Sequence, residues 1–289
     1  MKKKIIPGTI PTPDLHQYLL GSVSPRPIAF VSTIDEQGRK NLAPYSFFNA
    51  FSSNPPILVF SSNRRVQDNT TKDTLHNIQL NMECVVNVVS YNIVRQMMIS
   101  SVDFPTGVNE FEQAGLHEEA AEMVKPPMVL ESPVNMECRV KEIITLGDKG
   151  GAGHLIVCDV VCMHIEEGVL DEQGRIDPHK IDLMGRMGRA FYVRASGEAV
   201  QSMPQTQTLP IIGYPQLPLH IRQSKILSAN DIGILSGLRA LPNPDEIKTY
   251  LTQYREISEL SLDEIHQKAK EFIAQDKFQE ALMLLMCKS

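Results

Sequence analysis

The sequence predicts a mainly β, α+β chain with short helices and a helical C-terminal extension. Three features carry this. Before residue 200, runs of β-branched and aromatic residues recur between glycines and prolines. Nineteen prolines and seventeen glycines, beside seven tyrosines, ten phenylalanines and no tryptophan, call for many turns between short elements. Beyond residue 200 the apolar spacing becomes helical and capping signals appear. The expected division is therefore 1–200 and 201–289.

Arg26 to Ile34 is a strand by composition, and Asp35 to Gly38 is its hairpin turn. Asn41 to Phe51 keeps strand residues but carries Pro44, which predicts a strand bent there and then a second strand. Pro55 and Pro56 punctuate before the strand Ile57 to Phe60. In Thr70 to Asn81, Leu75, Ile78 and Leu80 fall at near-helical spacing, with Thr70 and Asp73 as a capping box. Met82 to Ser90 returns to strand composition, and Tyr91 to Ser100 reads as helix. Val134 to Leu146 and His154 to Ile165 are two long strands about a glycine-rich hairpin at 147–153. Pro204, Pro210, Pro215 and Pro218 predict an extended connector. Asn243 and Pro244 then start a helix through Tyr254, and Ser261 with Glu264 caps another carrying Ile265, Ala269, Phe272 and Ile273. Phe278, Leu282, Leu285 and Met286 continue the apolar stripe.

A composition of 42% hydrophobic and 21% charged residues is that of a folded globular protein and excludes disordered, collagenous and coiled-coil classes. The net charge of −6, from 28 basic and 34 acidic residues, argues against general nucleic-acid binding. No apolar run approaches the ~20 residues of a membrane helix. Prolines 7, 11 and 13 interrupt the basic start before an export signal forms. Five scattered cysteines without a CxxC pair read as buried thiols in a reducing cytoplasm. Cys158 and Cys162 stand four apart on one strand, and the eight histidines show no metal-binding spacing, so no metal is expected. The 147–153 glycines lack a phosphate-loop Lys-Ser/Thr, and no GxSxG elbow exists. Met97, Met98 and Met123 read as core fillers.

Small polar residues gather on the first strands: Ser32-Thr33, Asn41, Tyr45-Ser46, Asn49 and Ser61-Ser62-Asn63, followed by Arg64-Arg65 and Lys72-Asp73-Thr74. Ser24-Pro-Arg-Pro-Ile-Ala-Phe-Val-Ser-Thr33, Asn41-Leu-Ala-Pro-Tyr-Ser-Phe-Phe-Asn49, Pro55-Pro-Ile-Leu-Val-Phe-Ser61 and Lys72-Asp-Thr74 together resemble the flavin reductase-like family that includes flavoredoxin. The likeness extends through Gly107 to Phe111, Ile176 to His179 and Gly185 to Arg189, covering about residues 14 to 195.

The resemblance implies an FMN-binding split β-barrel. Bound FMN needs an apolar wall, amide partners for its ring edge and donors for a phosphate of roughly −2 charge. Thr33, Asn41, Leu42, Ala43, Pro44, Tyr45 and Ser46 match the family segment beside ring and ribityl chain, with N–H groups freed by a bend at Pro44. Ser61, Ser62, Asn63, Arg64, Lys72 and Thr74 match the phosphate end, helped by a helix start at Thr70. Arg186, in a loop near His179, would close over the ring edge. Without the resemblance these residues describe an ordinary strand, a solvated loop and a turn.

Three functions follow from it. The first is an FMN-dependent oxidoreductase taking hydride from NAD(P)H, a transient substrate, and passing electrons to free flavin or another acceptor. The second is a flavoredoxin-like electron carrier that meets a redox partner protein. The third is a non-catalytic barrel that binds through its helical C-terminus. A homodimer is expected in each case, and the choice between NADH and NADPH stays open.

Overall fold

The computed structural model describes residues 1–203 and 209–288, so Pro204 lies outside the described residues. The chain divides into two units, Met1–Gln201 and Ser202–Ser289. In the first, α1 (Thr12–Ser22) precedes the hairpin of β1 (Ala29–Ile34) and β2 (Lys40–Tyr45). The turn forms as its composition predicts, because the Asp35 carboxylate accepts the N–H groups of Gln37 and Arg39 at 2.9 and 2.8 Å. There follow β3 (Phe48–Ser53), β4 (Pro56–Ser61), α2 (Asp73–Asn81), β5 (Glu83–Val88), α3 (Val94–Ile99) and α4 (Glu110–Ala114). A small ribbon of β6 (Glu118–Glu119) and β7 (Met128–Val129) leads to the long strands β8 (Val134–Thr145) and β9 (His154–Ile165). The unit ends in the hairpin of β10 (Met184–Arg186) and β11 (Tyr192–Arg194).

Seven antiparallel strands pair in the order β2-β1-β5-β8-β9-β4-β3. The edge strands β2 and β3 are consecutive in sequence, with only Ser46 and Phe47 between them. A twisted sheet can satisfy that connection only by curling until its edges meet, which gives a barrel split between β2 and β3. The Ser61 N–H donates to the Phe47 carbonyl at 2.9 Å and holds that corner. Alternation sorts the side chains: Ala29, Val31, Ala43, Tyr45, Phe60, Cys84, Val86, Cys138 and Ile156 fill the core that Leu75 and Ile78 of α2 close. Phe30 and Leu42 point the other way, into a layer with Met97 of α3 and Phe111 of α4.

Four expectations change. Pro44 does not bend its strand; it pairs in register with Phe30, and the chain turns at Ser46 and Phe47 instead. Leu42, of the same parity, sends its N–H away from β1 to Glu110, so a proline at 44 loses no ladder bond on this edge. Thr70 does not cap α2. Asp68 accepts both its N–H at 3.0 Å and its hydroxyl at 2.7 Å, a local turn that outcompetes the helix start, and α2 begins at Asp73 after an extended Lys72. Met97 is buried, whereas Met98, on the outer side of α3, and Met123, in the loop between β6 and β7, are exposed. Of the cysteines, Cys84, Cys138 and Cys158 are buried, while Cys162 and Cys287 are only half-buried.

The second unit holds α5 (Leu219–Arg222), α6 (Ala229–Ser236), α7 (Pro244–Gln253), α8 (Leu262–Ile273) and α9 (Phe278–Met286). Reciprocal capping boxes start α6, α7 and α8 at Ser228, Asn243 and Ser261. Its own core includes Leu217, Ile221, Leu235, Ile265, Ala269, Leu282 and Leu285. Among the described residues no helix is long and apolar enough to cross a membrane.

Candidate functional site

The N-terminus of α2 meets the inner face of β2. Asn41 donates from its amide to the Thr74 hydroxyl at 2.8 Å, and both residues are buried. Tyr45 lies on the same face as Asn41; its ring packs 5.3 Å from that of Phe60. Its Oη, near the side chains of Thr74 and Ser62, makes no hydrogen bond, and burial pushes the phenol up to about 12. Ser62 Oγ is likewise buried without a partner. Buried polar atoms are nearly always paired, so two adjacent unsatisfied hydroxyls mark a place where a partner belongs.

Lys72 stands over this spot, its ammonium 5.9 Å from the centre of the Tyr45 ring. Among the described residues Nζ makes no hydrogen bond or ion pair. Burial pulls its pKa below the ordinary 10.5, with nearby Arg65 adding to the shift and Asp103 and Glu110 opposing it. Lys72 is thus a partly desolvated cation at the start of α2 with no described side chain bonded to it.

The loop after β4 forms the opposite wall. Ser62 exchanges backbone bonds with His154, and the Arg64 N–H donates to the Ala152 carbonyl at 2.8 Å, lashing the loop to the β8–β9 hairpin. The Ser61 hydroxyl donates to Asn63 Oδ1 at 2.7 Å. A Cβ at Gly153 would lie 2.6 Å from Ser61 Oγ, so only glycine lets hairpin and loop approach this closely. The guanidinium of Arg64 is already bonded to Asn69, at 2.8 Å through Nε and 2.7 Å through Nη2. Arg65 is held by Asp103, Thr70 and Thr71.

Along the outer edge of β2, Glu110 accepts the Leu42 N–H at 2.9 Å. Burial pushes this carboxyl up, and the Leu42 bond opposes the shift. Ser46, at the far end, is 3.5 Å from Nε of the buried Arg26, whose other nitrogens donate to the carbonyls of Leu20, Val23 and Met187. Arg26 and Arg186 exchange backbone hydrogen bonds, and the Arg186 guanidinium stacks 4.5 Å over Tyr192.

The sequence-derived residues thus fall into distinct places. Asn41, Tyr45, Ser61, Ser62, Asn63, Lys72 and Thr74 converge at the junction of β2, the loop and α2. Thr33 is wholly buried and accepts from Asn77, so it supports the junction from beneath. Leu42, Ala43 and Pro44 supply backbone and packing, and Arg186 belongs to the other end with Ser46. Glu110, Gly153 and Arg26 escaped as site residues. The motif Gly107 to Phe111 was the available signal for Glu110, but nothing local tells that its carboxylate reaches a strand 68 residues away.

Residues 20–180 match the model of the flavin reductase like domain. An uncharacterised protein of Aquifex aeolicus is 40% identical over 184 residues, 64% of this chain and 91% of that one. Nitrilotriacetate monooxygenase component B from Bacillus cereus superposes with a TM-score of 0.65 at 30% identity, covering 70% of this chain and 99% of that chain. A split barrel domain protein from Shewanella frigidimarina gives a TM-score of 0.59 at 22% identity, covering 68% of this chain and 95% of that chain. With an antiparallel barrel split between β2 and β3 and a family match over most of it, the chain belongs to the flavin reductase-like family of flavin-binding oxidoreductases.

Proposed function

We propose that the first unit binds FMN, phosphate end at Lys72, Thr74 and the 61–64 loop and ring along β2 toward Arg186, and acts as an NAD(P)H-dependent flavin reductase-like oxidoreductase. The observation that carries this is the unpaired ammonium of Lys72 beside the unsatisfied hydroxyls of Ser62 and Tyr45. These fit a phosphate, which accepts hydrogen bonds from each and supplies the missing negative charge. Bound flavin would supply the two-electron chemistry, taking hydride from the nicotinamide and delivering electrons to free flavin or another acceptor. The protein's part is positional. Asn41 and Thr74 fix the strand against α2, Glu110 holds the β2 edge, and the Arg26–Arg186 bridge fixes the far end.

A homodimer belongs to the same proposal. The exposed edge strand β3 carries Phe51, 69% exposed, so a second copy has apolar surface and an open edge to cover. Five free cysteines suit the reducing conditions of a cytoplasm.

The visible spectrum of the purified protein, with chromatography of the released flavin, tests the cofactor. Anaerobic NADH or NADPH then tests the activity. Prompt bleaching followed by reoxidation with excess free flavin is the expected result. FMN retained without bleaching would leave a flavoredoxin-like carrier; a colourless protein that FMN cannot reconstitute would leave a non-catalytic barrel.

A further inference from the structure

Cys158 and Cys162, four apart on β9, would share a face of a regular strand. The register with β8 separates them. Val160 stands opposite Cys138 and Cys162 opposite Glu137, so Val161 is an extra residue, a β-bulge. Cys158 stays in the barrel core with Cys84 and Cys138, and Val161 packs outside with Val85, Val124 and Met128. From the bulge onward the parity reverses, bringing Cys162 and His164 onto the outer face beside Glu137.

There the three side chains converge. His164 Nε2 lies 2.7 Å from Glu137 Oε1 and 3.5 Å from Cys162 Sγ, and the three atoms lie within 4.8 Å of one another. Glu137 is buried and already aimed. Its Oε1 accepts the Glu122 N–H at 2.9 Å, and its Oε2 accepts those of Met123 and Val124 at 2.5 and 3.0 Å. Burial pushes this carboxyl up, but these bonds and His164 outweigh it, leaving the group below its usual range and ionised. His164 and Cys162 are half-buried, which leaves an approach from solvent.

We propose that Glu137 Oε1, Cys162 Sγ and His164 Nε2 form a binding site for a divalent transition metal of the zinc class, with its fourth position open to solvent. A thiolate, an imidazole and a carboxylate are the donor set this ion takes. Zn–S and Zn–N bonds at a tetrahedral angle separate sulfur from nitrogen by about 3.5 Å, the spacing already present. The imidazole and carboxylate must part to roughly 3.3 Å, a small rotation of the half-exposed His164 ring. Binding releases the Cys162 thiol proton, while His164 ligates through Nε2 as the neutral tautomer that carries its proton on Nδ1. The three N–H bonds to Glu137 persist as the outer support that metal-bound carboxylates use.

The test is a Co²⁺ titration of the full chain, stripped with chelator and kept under a non-thiol reductant, read as difference spectra. One equivalent should saturate a sulfur-to-cobalt charge-transfer band and the intense visible bands of tetrahedral cobalt, and Zn²⁺ should displace both. Cys162→Ser should abolish the charge-transfer band, and His164→Gln should weaken binding about tenfold or more. Cys158→Ala should titrate like the wild type. The proposal fails if no such bands develop, leaving a plain Glu137–His164 hydrogen bond. It also fails if the bands survive Cys162→Ser in a protein folded by circular dichroism, or disappear in Cys158→Ala, which would place the metal at the core thiols. Should Cys162→Ser not fold, unchanged titration of His164→Gln overturns the proposal equally.

Discussion

The amide of Asn41 donates to the hydroxyl of Thr74 at 2.8 Å, joining the edge strand of the barrel to the first turn of α2. Both partners are buried, so removing either leaves the other without its bond. Asn41→Ala and Thr74→Val should each destabilise the first unit by about 1–3 kcal/mol. Because the two act through one bond, the double variant should cost clearly less than the sum. Thermal or denaturant unfolding followed by circular dichroism measures the cycle; full additivity would mean the bond is not shared.

Lys72 should contribute more to phosphate recognition than Arg64. Its ammonium is unpaired, whereas the Arg64 guanidinium is tied to Asn69. Lys72→Ala should weaken FMN on the order of ten- to a hundredfold, the equivalent of about 1.5–3 kcal/mol, and leave riboflavin nearly unaffected. Arg64→Ala releases the loop and should weaken both ligands by similar, smaller factors. Titration of both flavins into each variant separates the two roles.

The same lysine sets an alkaline limit. Its pKa in the ligand-free protein lies below 10.5, and only the charged form attracts phosphate. FMN affinity should therefore fall as pH rises through that depressed value, while binding itself draws a proton onto Lys72 and raises its pKa. Riboflavin affinity should stay flat over the window. Lys72→Arg should move the FMN decline to higher pH, and an unmoved profile would exclude Lys72 as the titrating group.

Gly153 tests the approach of the hairpin to the loop. Its backbone is not in the left-handed region, so substitution acts through space alone. Gly153→Ala places a methyl 2.6 Å from Ser61 Oγ and should break the Ser61–Asn63 bond. FMN binding should weaken several-fold while the unfolding midpoint changes little. An unchanged affinity would remove Ser61 from the site.

In the second unit His220 Nδ1 and His266 Nε2 lie 3.1 Å apart, and Ser224 Oγ is 2.8 Å from His266 Nδ1. Burial lowers the pKa of each histidine from 6.5, and His266 adds to the shift on His220. The unfolded chain thus binds more protons than the folded one below that value, so stability present above pH 6.5 is lost as pH falls through the folded pKa values. His266→Gln should flatten the acid side of the stability profile, measured by unfolding of the full chain at several pH values.

The features legible in the sequence are those whose causes sit within a few residues. The Asp35 turn, the Ser261 capping box, the glycine hairpin at 147–153 and the strand composition of β8 and β9 each need only neighbours to form, and they form as read. Thr70 marks the limit of that reading. Asp68 and Asp73 both offer it a local partner, and propensity does not rank an aspartate two residues before against one three residues after. Residue types at the candidate site were legible too, since Lys72 and Thr74 stand in the motif Lys72-Asp-Thr74 and Ser62 in the polar run Ser61-Ser62-Asn63, but their contacts were not. Glu110 reaches Leu42, and Lys72 reaches the Tyr45 ring, only because the two edge strands are forced together by a two-residue connection and the sheet must close. Likewise Cys162 parts from Cys158 through one inserted residue, Val161, whose effect exists only in register with β8. Periodicity along the chain determined which elements form; closure and register across the sheet decided which side chains meet, because strand parity has no meaning until a partner strand defines it.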